Sequence, residues 1–153
     1  DEENVRANFG TGLTYLERGD VAKAQNIFER LVKLEGAFEP AQKHLFNEFG
    51  ISLRKNKMMQ QAVEYYQRAL ELSSNDENLY MNMARAQLEI NNMGGCIDNL
   101  LKALSIAPRH ENSLKFLGWL VQKNLVPAER QGEVQTFLRS LAQSGTPQSQ
   151  GGA

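Results

Sequence analysis

Cysteine is nearly absent from this chain of 153 residues, which has one, Cys96. A single cysteine excludes an internal disulfide framework and is compatible with a reducing compartment. No apolar run approaches the roughly 18 residues of a membrane-spanning helix, and no basic-then-apolar leader is present. The formal net charge of −1 gives no basic signature, so a nucleic acid is not expected as the main partner. These absences favour a soluble, cytoplasmic protein without membrane insertion.

The composition, with 41 % apolar and 23 % charged residues, is ordinary for one soluble globular domain. The sequence starts at Asp1 without an initiating methionine. We therefore expect an excised segment or a processed product, so that a larger parent protein and a membrane-attached or periplasmic location remain alternatives.

Small residues recur at a nearly constant spacing along the chain. Gly12, Gly50, Ala84 and Gly118 are separated by 38, 34 and 34 positions. A second series, Ala24, Ala62 and Cys96, is separated by 38 and 34 positions. Small residues on two helices let their backbones approach closely, while a large residue four positions further along fills the space beside them. The spacing therefore predicts stacked helix pairs that share one continuous core.

This pattern resembles the tetratricopeptide repeat family, whose helix-turn-helix unit of about 34 residues has the motif W-x2-L-G-x2-Y, A-x3-F and P. The residues that fall on the motif are Gly12, Tyr15, Ala24, Phe28 and Leu31, then Phe46, Phe49, Gly50, Ala62, Tyr66 and Ala69, then Tyr80, Ala84, Cys96, Leu100, Ala103 and Pro108. A fourth unit begins with Leu114, Leu117 and Gly118, but Arg130 stands where the second helix should have a small residue. The resemblance implies an all-α, right-handed superhelical solenoid of antiparallel helix pairs.

We expect a repeat domain over residues 1–142. The repeats are predicted at about 5–38, 43–76 and 77–110, followed by a half-repeat and a cap helix at 111–142 and a disordered tail at 143–153. Four extra residues, around Ala37 to Pro40, should lengthen the first joint. The pair Gly94-Gly95 should delay or fray the start of the sixth helix, because glycine costs roughly 1 kcal/mol relative to alanine in a helix interior.

The sequence offers little to an enzyme. His44 and His110 are 66 residues apart without a carboxylate or cysteine at ligand spacing, so they are interpreted as surface histidines rather than metal ligands. Gly10-Thr11-Gly12 lacks the third glycine and the preceding strand of a nucleotide-binding loop. Cys96 occupies a small-residue position, which favours a buried packing thiol over a nucleophile. We therefore expect a protein without catalytic residues, metal or cofactor.

The resemblance also implies a binding surface, because in this family the first helices of successive repeats line a concave groove that holds a peptide. The contacts hypothesised here are Asn47, Arg54, Met81, Arg85, Lys115 and Trp119. Phe9, Leu13 and Met81 have core packing as the alternative, and Trp119 has packing under the cap helix.

Charge suggests what such a groove would bind. The groove positions carry seven cationic or potentially cationic side chains, Arg6, His44, Arg54, Lys55, Arg85, Lys115 and Lys123, against the two carboxylates of Glu17 and Glu89. An acidic peptide would be steered to such a surface.

Some members of the family clamp the terminal carboxylate of heat-shock chaperones with lysine, asparagine and arginine at fixed places. Here those places hold Phe9, Leu13, Glu48, Asn78 and Asn82, so this clamp is not present. The predicted function is a non-catalytic module that binds a protein or peptide partner. The alternatives are a homo-oligomerisation element of a larger protein and a small secretion-type chaperone.

Overall fold

A computed structural model describes residues 2–34 and 43–144 of the chain. Within these two ranges the protein forms eight α-helices and no strand. The helices are α1 (Glu2–Glu17), α2 (Val21–Val32), α3 (Lys43–Lys55), α4 (Met59–Leu72), α5 (Glu77–Glu89), α6 (Met93–Ile106), α7 (Glu111–Gln122) and α8 (Ala128–Ser144). The predicted all-α solenoid of helix pairs is confirmed.

Two sequence predictions concern residues at or beyond the limits of the described ranges. The four extra residues around Ala37 to Pro40 lie outside the described residues, as does the tail from residue 145 onwards. The tail was predicted to start at residue 143, but α8 continues through Ser144. None of the described helices combines the length and the apolar composition that crossing a membrane requires.

The turn that follows each odd-numbered helix has the same geometry. One residue in each turn has a positive φ: Gly19 (79°), Lys57 (65°), Asn91 (60°) and Asn124 (54°). The next residue donates its N–H to the carbonyl five positions earlier, at 2.8 to 3.0 Å. This is the Schellman motif, which satisfies carbonyls left unpaired at a helix end and returns the chain for an antiparallel partner.

Helix α6 starts earlier than predicted. It begins at Met93, before both glycines, so the expectation of a delayed start was wrong. The side chain of Asn92 accepts a hydrogen bond from the backbone N–H of Gly95 at 2.9 Å. This N-cap satisfies one of the donors that a helix start leaves unpaired and offsets the low helix propensity of glycine.

Within the first two pairs, glycine on one helix faces an aromatic ring on the other. A β-carbon placed on Gly12 would lie 2.5 Å from Cε1 of Phe28, and one placed on Gly50 would lie 2.5 Å from Cε1 of Tyr66. Both rings are fully buried. The predicted pairing of small and large residues is therefore what sets the approach of α1 to α2 and of α3 to α4.

The buried side chains form two apolar clusters that share α5. The first cluster lies among α1 to α4 and includes Leu79 and Met83 of α5. The second cluster lies among α5 to α8 and includes Met81 and Ala84 of α5. Helix α5 thus contributes buried side chains to the core of each half of the solenoid.

Aromatic rings join the first two repeats. The rings of Phe9 in α1 and Phe49 in α3 stack with centroids 4.0 Å apart and an interplanar angle of 8°. The buried hydroxyl of Tyr65 in α4 donates a hydrogen bond to the carbonyl of Phe28 in α2 at 2.8 Å. Such pairs hold adjacent repeats in one register.

Candidate functional site

Helices α5 and α7 form an open cleft of about 430 Å³ between them. Its lining is Arg85, Leu88, Glu89, Asn112, Lys115, Phe116 and Trp119. Residues three and four positions apart share one helix face, which is why these side chains point to the same space. The structure therefore brings together three of the predicted contacts: Arg85, Lys115 and Trp119.

The apolar side of the cleft is aromatic. Trp119 is 42 % exposed, so it is not packed under the cap helix, the alternative that its sequence position left open. Its ring lies 6.2 Å from that of Phe116, centroid to centroid, at an angle of 44°. An exposed tryptophan beside a second ring offers a large apolar surface and an N–H donor to a ligand.

The polar side of the cleft contains one cation without a partner. Arg85 is half-buried and makes no hydrogen bond or ion pair with any residue of 2–34 or 43–144. Lys115, in contrast, pairs with Glu111 on its own helix. Glu89 accepts from Arg54 of α3, with Nη1 and Oε1 3.1 Å apart. Among these side chains, Arg85 has the guanidinium available for an incoming carboxylate.

The other three predicted contacts, Asn47, Arg54 and Met81, are not part of the lining of the cleft. Asn82 of α5 donates its side-chain N–H to the side-chain oxygen of Asn47 of α3 at 3.0 Å. Met81 is 6 % exposed and belongs to the second apolar cluster. Phe9 is buried and Leu13 packs against the first cluster, so these two side chains support the core.

The charge of the inner surface is more balanced than the sequence count of two carboxylates indicates. Arg6 of α1 pairs with Glu48 of α3, with Nη1 and Oε1 3.0 Å apart, and it also pairs with Glu2. Glu111 adds a further carboxylate beside Lys115. Of the seven groove cations, Lys55, Arg85 and Lys123 have no ion pair with another described residue, and Arg85 is the one of these three that lines the cleft.

The cysteine and the histidine that could take part in catalysis or metal binding have structural roles instead. Cys96 is fully buried, and burial raises the pKa of its thiol to about 12, as expected for a packing residue. The ring nitrogens of His110 lie 2.7 Å from the hydroxyl of Ser113 and 3.1 Å from the side-chain oxygen of Asn78, which links α7 to α5. No group of three or more metal-ligating side chains occurs in the part of the chain that the structure describes.

Sequence reasoning missed two residues of the cleft, Asn112 and Phe116. Phe116 lies three positions before Trp119, and Asn112 lies three positions before Lys115, so the helical spacing could have indicated both. The absence of a partner at Arg85 had no sequence signal, because it depends on where the carboxylates of other helices point.

The sequence matches two family models, both described as tetratricopeptide repeat, at residues 6–35 and at residues 44–76 and 77–110. It is 34 % identical over 104 residues to the Hsp70/Hsp90 co-chaperone CNS1 of Saccharomyces cerevisiae. This match covers 64 % of the chain and 27 % of the yeast protein, so the chain spans about a quarter of the length of that relative.

Two solved structures have a similar fold. The crystal structure of MamA superposes with a TM-score of 0.59 and 17 % identity, covering 94 % of this chain and 79 % of that one. A mutant form of MamA superposes with a TM-score of 0.55 and 14 % identity, covering 94 % of this chain and 98 % of that one. At this identity the likeness concerns the fold alone.

Proposed function

Because the chain belongs to the tetratricopeptide repeat family, we propose that it is a non-catalytic protein-interaction module that binds an acidic peptide segment at the cleft between α5 and α7. The observation that carries this proposal is the position of Arg85, a cation without a partner beside the exposed ring of Trp119. Arg85 attracts and orients a ligand carboxylate, while Trp119 and Phe116 contact an apolar side chain next to it.

The opposing charges in the cleft limit which ligands fit. Glu89 is held by Arg54, and Lys115 by Glu111, so neither pair needs to rearrange when a carboxylate approaches Arg85. A ligand with one acidic group next to a large apolar side chain suits this arrangement better than a polyanion. Exposed ion pairs contribute little, about 0–1 kcal/mol, so most of the affinity comes from the rings and the charge mainly sets orientation.

The yeast relative is by its name a co-chaperone of Hsp70 and Hsp90. We do not extend binding of a chaperone's terminal carboxylate to this chain. At the places of the carboxylate clamp, Phe9 is stacked on Phe49 and Glu48 is paired with Arg6. Asn82 is bonded to Asn47. The partner is therefore proposed to be recognised at α5 and α7 instead.

The absence of catalysis and the cytoplasmic location are part of the same proposal. The only cysteine is buried and protonated at neutral pH, and this supports a protein that needs neither a thiol nucleophile nor an oxidising compartment.

Selection of a random peptide display library on the wild-type chain, followed by calorimetry of the selected peptides, tests the proposal. We expect enrichment of an acidic residue next to a large apolar one. We also expect at least a tenfold loss of affinity, about 1.4 kcal/mol, for Arg85→Glu and for Trp119→Ala. The matched control is Arg139→Glu, the same charge reversal at an exposed position of α8. Peptides without acidic residues, or equal effects of both arginine variants, would contradict the proposal.

Self-assembly is the competing function. If the chain acts as an oligomerisation element, sedimentation will depend on protein concentration, and Arg85→Glu will leave that dependence unchanged. A small chaperone would instead bind an unfolded client stoichiometrically without a preference for acidic segments.

A further inference from the structure

Gly118 of α7 occupies the position that Gly12 has in α1 and Gly50 has in α3. In those two helices the partner helix places an aromatic ring within 2.5 Å of where a β-carbon would be. At Gly118 nothing lies within 4 Å of that point, and the residue is exposed. The face of α7 that corresponds to the covered faces of α1 and α3 is therefore open.

The cause lies in α8, where the small residue of the repeat motif is replaced by a large one and the large residue by a smaller one. Where α2 and α4 have the small residues Ala24 and Ala62, α8 has Arg130. Where they have Phe28 and Tyr66, α8 has Val134. A large residue at the first place keeps two helices apart, and a small residue at the second leaves the space between them unfilled.

Arg130 also fixes α8 to a different neighbour. Its Nη2 lies 2.7 Å from Oδ1 of Asp98 in α6, and it pairs in addition with Glu133 on its own helix. Val134 is buried in the second apolar cluster. Helix α8 thus closes the end of the core without covering Gly118.

The open face is apolar toward the end of α7 and charged toward its start. Val121, three positions after Gly118, is 38 % exposed, and so is Leu125 in the turn that follows the helix. A hollow of about 100 Å³ is lined by Val121, Asn124, Val126, Gln131, Val134 and Gln135, whose polar side chains are all amides. On the other side, the ion pair of Lys115 and Glu111 lies three and seven positions before Gly118.

We propose that the face formed by Gly118 and Val121 of α7, together with Leu125 of the turn that follows the helix, docks an α-helix of a partner protein. The docked helix carries the pair that α8 lacks: a small residue followed four positions later by a phenylalanine, tyrosine or leucine. The chain itself supports this choice of occupant, because the equivalent glycine faces of α1 and α3 are each covered by such a helix. A glycine that clears space for a ring suits close helix packing.

This face differs from the cleft of the proposed function. Trp119 follows Gly118 directly, and consecutive residues on a helix point about 100° apart, so a helix at Gly118 and a peptide at Trp119 contact different sides of α7, which adjoin at Lys115. The two proposals can therefore fail independently.

The probe is a peptide with the sequence of residues 58–72 of this chain, labelled with a dye and cyclised to hold its helix. It carries Ala62 and Tyr66, the pair that covers Gly50 in the second repeat. We expect saturable binding to the intact chain, with the largest backbone NMR shifts at Gly118, Val121 and Leu125. The variant Gly118→Leu should weaken binding at least tenfold because its side chain occupies the space for the ring.

Two controls keep the test decisive. Gly10→Leu makes the same change at an exposed glycine of α1 that likewise has nothing within 4 Å, and it should leave affinity unchanged. A peptide with Tyr66→Ala tests the ring without altering the protein and should bind at least tenfold more weakly. Lack of saturable binding, shifts centred on Arg85 and Trp119, or equal effects of both leucine variants would overturn the proposal. Dimerisation of the chain through Val121 and Leu125 would also overturn it, since a second copy would then be the occupant.

Discussion

The backbone of Gly50 lies directly against the ring of Tyr66, so close that a β-carbon on the glycine would lie 2.5 Å from Cε1 of the tyrosine. The ring is fully buried. This contact sets the separation of α3 and α4, and through them the place of α5 and of the candidate cleft.

Gly50→Ala is therefore expected to destabilise the protein by about 1–3 kcal/mol through overpacking. Gly118→Ala adds the same methyl group in open space and should stabilise it by up to about 1 kcal/mol, the helix-propensity gain over glycine. Urea unfolding followed by circular dichroism measures both changes. Effects of the same sign would contradict the packing difference between the two sites.

The adjacent residues Tyr65 and Tyr66 provide a second matched pair. Both are fully buried, but only Tyr65 donates a hydrogen bond, to the carbonyl of Phe28. The hydroxyl of Tyr66 has no hydrogen bond of normal geometry among the described residues, but burial raises its pKa and the nearby guanidinium groups of Arg54 and Arg85 partly offset that rise. We expect Tyr65→Phe to cost about 1 kcal/mol and Tyr66→Phe to cost less, as measured by thermal and urea unfolding. A larger loss for Tyr66→Phe would contradict this assignment.

Because of Asp76, the free energy of unfolding should decrease as the pH falls in the acid range. Burial by itself would raise its pKa, but hydrogen bonds from the Lys43 ammonium and from the backbone N–H groups of Leu79 and Asn78 lower the pKa below its ordinary value. A lowered pKa in the folded state means that the stabilisation is complete above the unfolded value of about 3.9 and is lost as the pH falls through the folded value.

The variant Asp76→Asn keeps an N-cap side chain and removes only the charge. At pH 7 it should be less stable than the wild type by about 0.5–1 kcal/mol. This difference should shrink as the pH falls below the unfolded value and disappear once the pH has passed through the lowered folded value, because the aspartate becomes protonated. Urea unfolding at several pH values measures this difference in stability between the variant and the wild type. A difference that stays constant at acid pH would refute the role of the carboxylate.

Lys57 adopts a left-handed backbone conformation, with φ of 65°, at the turn between α3 and α4. Glycine adopts this conformation without the penalty from a β-carbon. Lys57→Gly should raise the free energy of unfolding by about 0.5–1 kcal/mol. Lys55→Gly, two residues earlier at the last position of α3, should lower it instead, and thermal unfolding of the two variants checks the contrast.

Cys96 should react with thiol reagents only when the protein unfolds. Its thiol is fully buried and its pKa is raised to about 12, so the reactive thiolate is nearly absent at pH 7. The labelling rate should rise with urea in parallel with unfolding, whereas a thiol introduced by Ser105→Cys on the exposed side of α6 should react at once. Fast labelling of native Cys96 would contradict its burial.

The repeat pattern predicted the helix pairs because the residues that repeat are the ones that pack. Gly12, Gly50 and Ala84 mark interhelical contacts, and such contacts leave a spacing that a single sequence shows. The early start of α6 was mispredicted because the cap from Asn92 outweighs the low propensity of its two glycines.

The binding surface was predictable only in part. Arg85, Lys115 and Trp119 were expected to share a surface, and they line one cleft. Pairing between helices, such as Arg54 with Glu89, depends on the relative placement of residues 35 positions apart, which helical periodicity does not define. Charge counts along a sequence therefore overestimate the number of cations available to a ligand.

Helix α5 contributes Leu79 and Met83 to one apolar cluster and Met81 and Ala84 to the other. Neither half of the solenoid can open without exposing a face of this helix, so local openings of the two halves are thermodynamically coupled. A ligand held at Arg85 and Leu88 on α5 will accordingly slow amide hydrogen exchange in α3 and α4, which it does not touch. Occupancy of the cleft is thereby reported in the preceding repeat.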